Sequence, residues 1–449
     1  MKPREYKGKI KRKFKGELKG EITVFLSLLL VVLLTFIGGM VQSASIHITK
    51  SMKRADTKLA LESVFAEYED RLLEEYDIFA KLDGDETKFS RRLWFYGAKD
   101  MEHKIQKIQF LTDNKGQAFY EQAIHSLGGE VKKVAEVTEV PWEEEERQVN
   151  LELEELLSET EVTLPKEENP LEWIKHLRKS SLLTLVLKNP ENLSNRYVAL
   201  EELPSHRKLV QGTGGLVKGT DGFGETSKGG VAQKALFTAY LMEHFPHHLK
   251  NKEENSLFYE AEYLLCGKES DRENLEAVFR KIITIRTGVN YAYLLTDQTK
   301  LAEAGGMAAT LSGLLMIPEA TELVKQALLF SWSYGESILE LRSLSEGKKI
   351  PILKTAESWQ LDLDSLLQLG TEEDVSTPLE EEKGMGYEDY ITMFLLAENV
   401  EHLCMRALDL MELKLGIRMD ALVTAVEIKS TAEMQRGIKD TFLSKYQYQ

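Results

Sequence analysis

Residues 19–40 read KGEITVFLSLLLVVLLTFIGGM, and nothing between Ile22 and Val41 carries a charge. As a helix rising 1.5 Å per residue, that run matches the roughly 30 Å hydrocarbon core of a bilayer. A secretory h-region is shorter, about 7–15 residues, and ends at a small-residue cleavage site. Val41-Gln42-Ser43 is a poor site of that kind. Residues 22–41 therefore read as a retained transmembrane helix, with the lipid bilayer as partner.

Residues 1–21 form a basic tail in which nine Lys and Arg outweigh three Glu, a local charge of +6. Lys50, Lys53, Arg54 and Lys58 on the far side are fewer and farther from the apolar run. The positive-inside rule then predicts a cytoplasmic N-terminus and an extracytoplasmic remainder in the cell membrane, single-pass. Against a whole-chain charge of −16, the tail's +6 leaves −22 on the rest. Such a body repels phosphate backbones, so no nucleic-acid partner is expected. Two cysteines are too few for a disulfide scaffold, although Cys266 and Cys404 could form one bridge after export.

Outward from the apolar run, neither Pro nor Gly occurs from Val41 to Asp83. Leu61, Phe65, Tyr68, Leu72, Tyr76 and Phe79 recur at steps of three and four. This spacing predicts that the membrane helix continues as a spine to about Phe79, with Lys50–Lys58 as a solvated neck. Ile108 and Phe110 mark a strand, Asn114-Lys115-Gly116 a turn, and the next stretch a helix to Gly128-Gly129. An acidic helix opens at Pro141, and Pro165 and Pro170 mark a boundary. The expected organisation is a spine and small α/β subdomain over 42–164, then a larger, mostly helical ectodomain over 165–449.

Within that ectodomain, LEWIKHLRKSSLLTLVL (171–187) reads as helical in its first half and strand-like in its second. The glycine-rich residues 212–230 read as a loop. Alternating Leu257, Tyr259, Ala261, Tyr263 and Leu265 predict a strand, and Ser270-Asp-Arg-Glu273 a capping box. Helices are expected over roughly 290–317, 319–344 and 387–415, with a last strand near 421–429. Ala304–Ile317, only 14 uncharged residues, is too short for a second span and reads as a core helix. The fold class is α+β: mostly α with a small β component, a transmembrane helix running into a spine, and a globular ectodomain.

Motifs for chemistry fail on spacing. Gly224-Glu-Thr-Ser-Lys-Gly229 is followed by Gly230 where a phosphate loop places its lysine. The tetrads Ser205-His-Arg-Lys208 and Ser345-Glu-Gly-Lys348 lack the companions of a serine acyltransferase, even with Lys354-Thr355-Ala356 nearby. His244, His247 and His248 read as exposed loop histidines, and His402 and Cys404 face different directions on a helix. Tyr240, Tyr259, Tyr263, Tyr291, Tyr293, Trp332, Tyr334 and Trp359 sit within regular periodicity and read as core, with glycan stacking the other use of such rings. No catalytic residue, cofactor or metal is assigned, and the chain is not read as an enzyme.

GEITVFLSLLLVVLL (20–34), EYEDRLLEEYDIFA (67–80), KIQKIQFLTDNKGQAFYEQAI (104–124), NPLEWIK, LLTLVL, LPSHRK, EAEYLLCGKESDRENL, RTGVNYAYLLTD, WSYGESILELRSLSEGKKIPILKTAESW (332–359), YEDYITMFLL and RALDLMELKL are spread over nearly the whole chain. Together they resemble an uncharacterised family of single-pass membrane proteins from Gram-positive bacteria, found with tight-adherence type pilus components and similar to minor pseudopilins. That resemblance implies pilus or secretion-apparatus proteins as partners and leader-peptidase processing between Gly20 and Glu21. Phe25 departs from it, standing where pilin-like stems commonly carry glutamate. The expected role is a membrane-anchored structural or assembly protein, the alternative being an exported receptor or glycan-binding module on a plain anchor.

Overall fold

The structure is a computed structural model that describes residues 14–82, 86–127, 181–209, 230–250, 257–314, 317–363, 365–369, 384–434 and 437–448. The acidic helix expected after Pro141, the boundary at 164/165 and the glycine-rich residues 212–229 lie outside them. The chain is α+β: helices dominate, and one antiparallel sheet joins strands within residues 81–110 to strands within residues 422–447.

Helix α1 runs from Phe14 to Phe65. The expected continuation to Phe79 breaks there, and α2 (Asp70–Tyr76) follows a turn. Glu67 explains the break. In the turn its carboxylate meets Lys81 at 2.9 Å, the Tyr96 hydroxyl at 2.8 Å and Arg92, partners that a continuing helix would not let one residue gather. Phe65 stays buried, stacked on Tyr446 and edge-on to Tyr448.

The sheet comprises β1 (Lys81–Leu82), β2 (Met101–Phe110), β3 (Leu422–Glu433) and β4 (Lys439–Gln447). β3 is central, with β2 on one side and β1 and β4 on the other. Ile428 pairs with Ile105 and Ser444, and Val426 with Ile108 and Tyr446. The even-numbered face of β3 closes a small core with Ala60, Leu61, Val64 and Phe65 of α1 and Phe89 and Leu93 of α3 (Glu86–Phe95). The other face is buried at Val423 and Ala425 but opens to water from Glu427, which stands opposite Lys107, to Glu433. One apolar face and one charged face is the ordinary solution for an antiparallel sheet.

β2 leads into α4 (Asp113–Ser126) through Asn114, Lys115 and Gly116, all at positive φ, which is the expected turn. A Cβ on Gly116 would stand 3.0 Å from Cys404 Cβ, so both backbone angle and packing require glycine. The larger core joins α2 and α4 to α5 (Leu182–Val186), α6 (Val231–His244), α7 (Glu260–Cys266), α8 (Asp271–Thr296), α9 (Gln298–Leu314), α10 (Thr321–Ser345), α11 (Tyr387–Ala397) and α12 (Val400–Leu415). Ser270 caps α8, its Oγ accepting from the Glu273 N–H at 3.3 Å, as the capping-box pattern predicts.

Several expected elements differ. Residues 260–266 are helix rather than strand, because Glu260 and Glu262 are buried along with Ala261, Tyr263, Leu264 and Leu265. Leu182–Val186 is likewise a helical turn, with Leu182, Leu183, Leu185 and Val186 all buried. The helix expected over 290–317 divides at Asp297, which accepts the N–H groups of Thr299 and Lys300 and so starts α9 anew. That over 387–415 divides at Asn399, whose side chain caps α12. β3 fulfils the last expected strand, and β4 is an additional one.

Candidate functional site

From Ile22 to Val41 every side chain of α1 is exposed, and the window that qualifies as a membrane span has none of its residues buried. Each large apolar side chain left in water forgoes roughly 1.5–3 kcal/mol of burial. This is therefore a surface built for another environment. Its polar side chains are already satisfied: Ser27 Oγ donates to Val24 O at 2.8 Å, and Thr35 Oγ1 lies 2.8 Å from Val31 O. A helix with internal bonds for every polar group meets the bilayer's requirement. One N-terminal helix of the chain is thus long and apolar enough to cross a membrane.

The neck above it is less solvated than the sequence suggested. Lys50 and Arg54 both reach Asp440 at 3.2 Å, Lys53 Nζ donates to Lys99 O at 2.8 Å, and Arg54 lies over the Phe442 ring. Thr57, Ala60, Leu61 and Val64 continue the contact in fully buried positions. Stem and body are therefore joined along four turns of helix.

Among the described residues the body holds several buried polar centres, two of them built on the Glu336–Glu340 pair and on Glu262. On α10, Glu336 and Glu340 lie one turn apart, and the segment after Ile350 folds over them. Arg286 Nε and Nη2 donate to the two oxygens of Glu340 at 2.9 and 2.6 Å. Lys354 Nζ bridges Glu336 at 2.5 Å and Glu340 at 2.9 Å. Glu336 also accepts the N–H groups of Gln360 and Leu361, while Asn290 donates to Glu340. Two cations and two anions cancel. Burial pushes the Glu336 carboxyl up, with Lys354 opposing it. Burial works on Glu340 in the same sense, but Arg286 and Lys354 together hold it below the ordinary carboxylate range. Gly335 makes the cover possible, since a Cβ there would stand 2.6 Å from Leu361.

The second centre surrounds Glu262 of α7. Its Oε1 accepts from the Tyr387 hydroxyl at 2.6 Å and the His248 N–H at 2.9 Å, while Oε2 is buried without a hydrogen bond. Burial raises this carboxyl to about 7. His248 is pushed down to about 4 by burial and by His247, which burial lowers too. His247 Nε2 lies 3.8 Å from Glu388, itself 2.6 Å from Lys250 Nζ. The expectation of exposed loop histidines is thus corrected. His247 is buried, His248 packs edge-on to Tyr259 and Tyr387, and His244 meets Glu75 O at 3.0 Å. Among the described residues no cluster of three or more His, Cys, Asp or Glu could hold a metal ion.

Gly20 and Glu21 lie within the helical turns that open α1. Cys266 and Cys404 are not joined by a disulfide, Cys404 being buried in α12 and Cys266 standing at the end of α7. Burial pushes the Cys266 thiol up to about 11, against Lys281 and Arg406. Ser205 Oγ lies 2.7 Å from His206 Nδ1, and its N–H donates to Asp409, which also receives the Tyr263 hydroxyl. Ser345 Oγ donates back to Arg342 O, closing α10, and Lys348 pairs with Glu346. His402 pairs with Glu398 at 3.3 Å. Tyr240, Tyr259, Tyr263, Trp332 and Trp359 are core residues, as their periodicity predicted. Neither buried centre was visible in the sequence. A glutamate pair one helical turn apart usually marks a wet face, and only Gly335 within a strong helix hinted at close cover.

Fold and stem together define a single-helix membrane-span candidate carrying an α+β body. The chain belongs to DUF5702, a family of unknown function, which it matches over residues 160–434. The match takes in most of the helical body and β3, and leaves the stem outside. No curated protein and no solved structure matches the chain.

Proposed function

We propose that the protein is a membrane-anchored extracytoplasmic structural or assembly subunit, a minor pseudopilin-like component of a tight-adherence type pilus or secretion apparatus. One observation carries the reading: α1 is a single rod, bare and apolar from Ile22 to Val41 and docked on the body from Lys50 to Phe65. An element of that form fixes a folded body at a set height above a bilayer. The basic tail orients it with the body outside. The buried ion quartet and the hydrogen-bonded Glu262 centre fit a rigid part, their polar groups holding helices together. The tight-adherence context rests on the sequence resemblance alone.

The test is affinity capture of the detergent-solubilised complex from native membranes, with mass spectrometry of the captured proteins and of this chain's N-terminus. Co-purifying pilus or secretion-apparatus subunits and a new terminus at Glu21 are the expected results. An intact tail would dismiss the processing step. Capture of the chain without appendage proteins would overturn the assembly role and favour a receptor on a plain anchor.

A further inference from the structure

Lys354 is the one buried lysine among the described residues, its side chain 1% exposed. Two carboxylates share its Nζ, Glu336 Oε1 at 2.5 Å and Glu340 Oε1 at 2.9 Å. The two acids are held differently. Glu340 is gripped by the Arg286 fork and by Asn290, which favours its ionised form. Glu336 takes backbone donors instead, the Gln360 N–H at 3.1 and 3.2 Å from its two oxygens and the Leu361 N–H at 2.7 Å from Oε2. Burial raises the Glu336 carboxyl, whereas Glu340 is held low, and carboxyls pushed apart in this way suit different roles.

Each part of an amide-forming site is present. Lys354 Nζ is a nucleophile, and Glu340 is a base in reach of its protons. Glu336 Cδ is the electrophile, one C–O bond beyond the oxygen that Nζ touches, which sets the reacting atoms at about 3–3.5 Å. The Leu361 N–H points at Oε2, where charge gathers as Cδ turns tetrahedral. That donor is fixed from behind, because Leu361 O accepts the indole N–H groups of Trp332 and Trp359, each at 2.7 Å. Trp332, Trp359 and Leu361 are buried, and the close cover over Gly335 keeps bulk water from the reacting atoms. A structural ion pair accounts for one carboxylate on Lys354. It does not call for a second, already neutralised by Arg286, on the same amine.

We propose that Lys354 and Glu336 join in an intramolecular isopeptide bond that staples the segment after Ile350 to α10. Nζ attacks Cδ of Glu336, the Cδ–Oε1 bond breaks, and Oε1 leaves as water. Of the three protons on the Lys354 ammonium, two depart with that water, the first by way of Glu340, and the third stays as the amide N–H. Nothing is oxidised or reduced, and no co-reactant is consumed. Two buried charges become one neutral amide, which relieves their desolvation cost, while Arg286 and Glu340 remain a balanced pair. An amine held in place acts at an effective concentration of about 10⁵–10⁸ M, and this opposes hydrolysis of the product. The staple does not depend on the anchored reading above.

The test is peptide mapping of the full chain, purified in detergent, denatured and digested with trypsin. The expected product is peptide 326–342 joined to peptide 350–383, lighter than the two together by one water, with no cleavage after Lys354. Fragmentation in the mass spectrometer is expected to place the branch at Glu336 and Lys354. Lys354→Arg keeps the cation without a nucleophilic amine and should give the peptides unjoined. Glu340→Gln removes the base and should slow joining about a hundredfold, read as the joined fraction in samples drawn over time. Separate peptides from the unaltered chain, with cleavage after Lys354, overturn the proposal whatever the variants do. A branch from Lys354 to Asn290, with loss of ammonia rather than water, overturns Glu336 as the electrophile. Joining at an unchanged rate in Glu340→Gln overturns Glu340 as the base.

Discussion

Glu262→Gln isolates one buried titration. The folded protein holds this carboxyl near 7 against an ordinary value of 4.5, and burial is the main cause. Between those two values the folded state binds a proton that the unfolded chain has released, so stability must fall as pH rises. Fully present below about pH 4.5, the contribution is lost through pH 7 and amounts to roughly 3 kcal/mol at 1.36 kcal/mol per unit. His248 works in the opposite sense. Its folded value of about 4 lies below the ordinary 6.5, so stability rises with pH over that interval. In the native chain the two trends offset each other between about pH 4.5 and 6.5. Glutamine still accepts from Tyr387 and His248, and its NH₂ occupies the place of Oε2, which has no partner. That misplaced donor costs about 1–3 kcal/mol at every pH. Urea unfolding of the full chain in detergent, followed by tryptophan fluorescence in half-unit steps from pH 4.5 to 8, separates the constant from the slope. The stability of wild type minus Glu262→Gln should drop by roughly 3 kcal/mol between pH 4.5 and 7.5. A difference that stays level across that range would refute a protonated Glu262 at neutral pH.

Lys354→Met removes one cation from a neutral quartet, leaving Glu336 without a cation and Glu340 with Arg286 alone. The expected loss is about 3–5 kcal/mol in urea unfolding, with partial recovery when Glu336→Gln is added; equal losses in the single and double variants would argue against charge as the cause. Cys266, with its thiol raised to about 11, should react with iodoacetamide at pH 8 roughly a hundredfold more slowly than an ordinary thiol, and buried Cys404 only after unfolding, as followed by intact mass.

Much of the architecture was legible because burial was one-sided. The stem is uncharged over a bilayer's thickness, and from Val426 onward the buried residues of β3 alternate with more exposed ones, so both elements show in the sequence. Reading failed where burial was all-round. At 257–265 the alternation came from glutamates assumed to be wet, yet Glu260 and Glu262 are enclosed with their apolar neighbours. The break after Phe65 depended on Lys81, Arg92 and Tyr96 converging on Glu67, a tertiary event with no local signature. β4 did carry a signal, Phe442, Tyr446 and Tyr448 at even spacing, but its partner lies in the hairpin with β3 and its cover comes from α1. The candidate site divides the same way. The stem could be read directly, whereas Arg286, Glu336, Glu340 and Lys354 are brought together only by the fold.

The sheet decides how stem and body are coupled. β2 follows α3 early in the chain, whereas β3 and β4 arrive after the helical body is complete, so the face that holds α1 cannot close until the C-terminal segment is in place. Tyr448 donates its hydroxyl to Phe65 O, fixing the C-terminal segment to the last residue of α1. β3 continues from α12 through Ala421, and Leu111 N–H donates to Leu422 O at 2.8 Å, tying the start of α4 to the same strand. α1 is therefore held to the body by β3 and its neighbours as well as by the single turn at 66–69. The end of α1 is thereby fixed from segments that lie on both sides of the helical body in sequence, not by that turn alone.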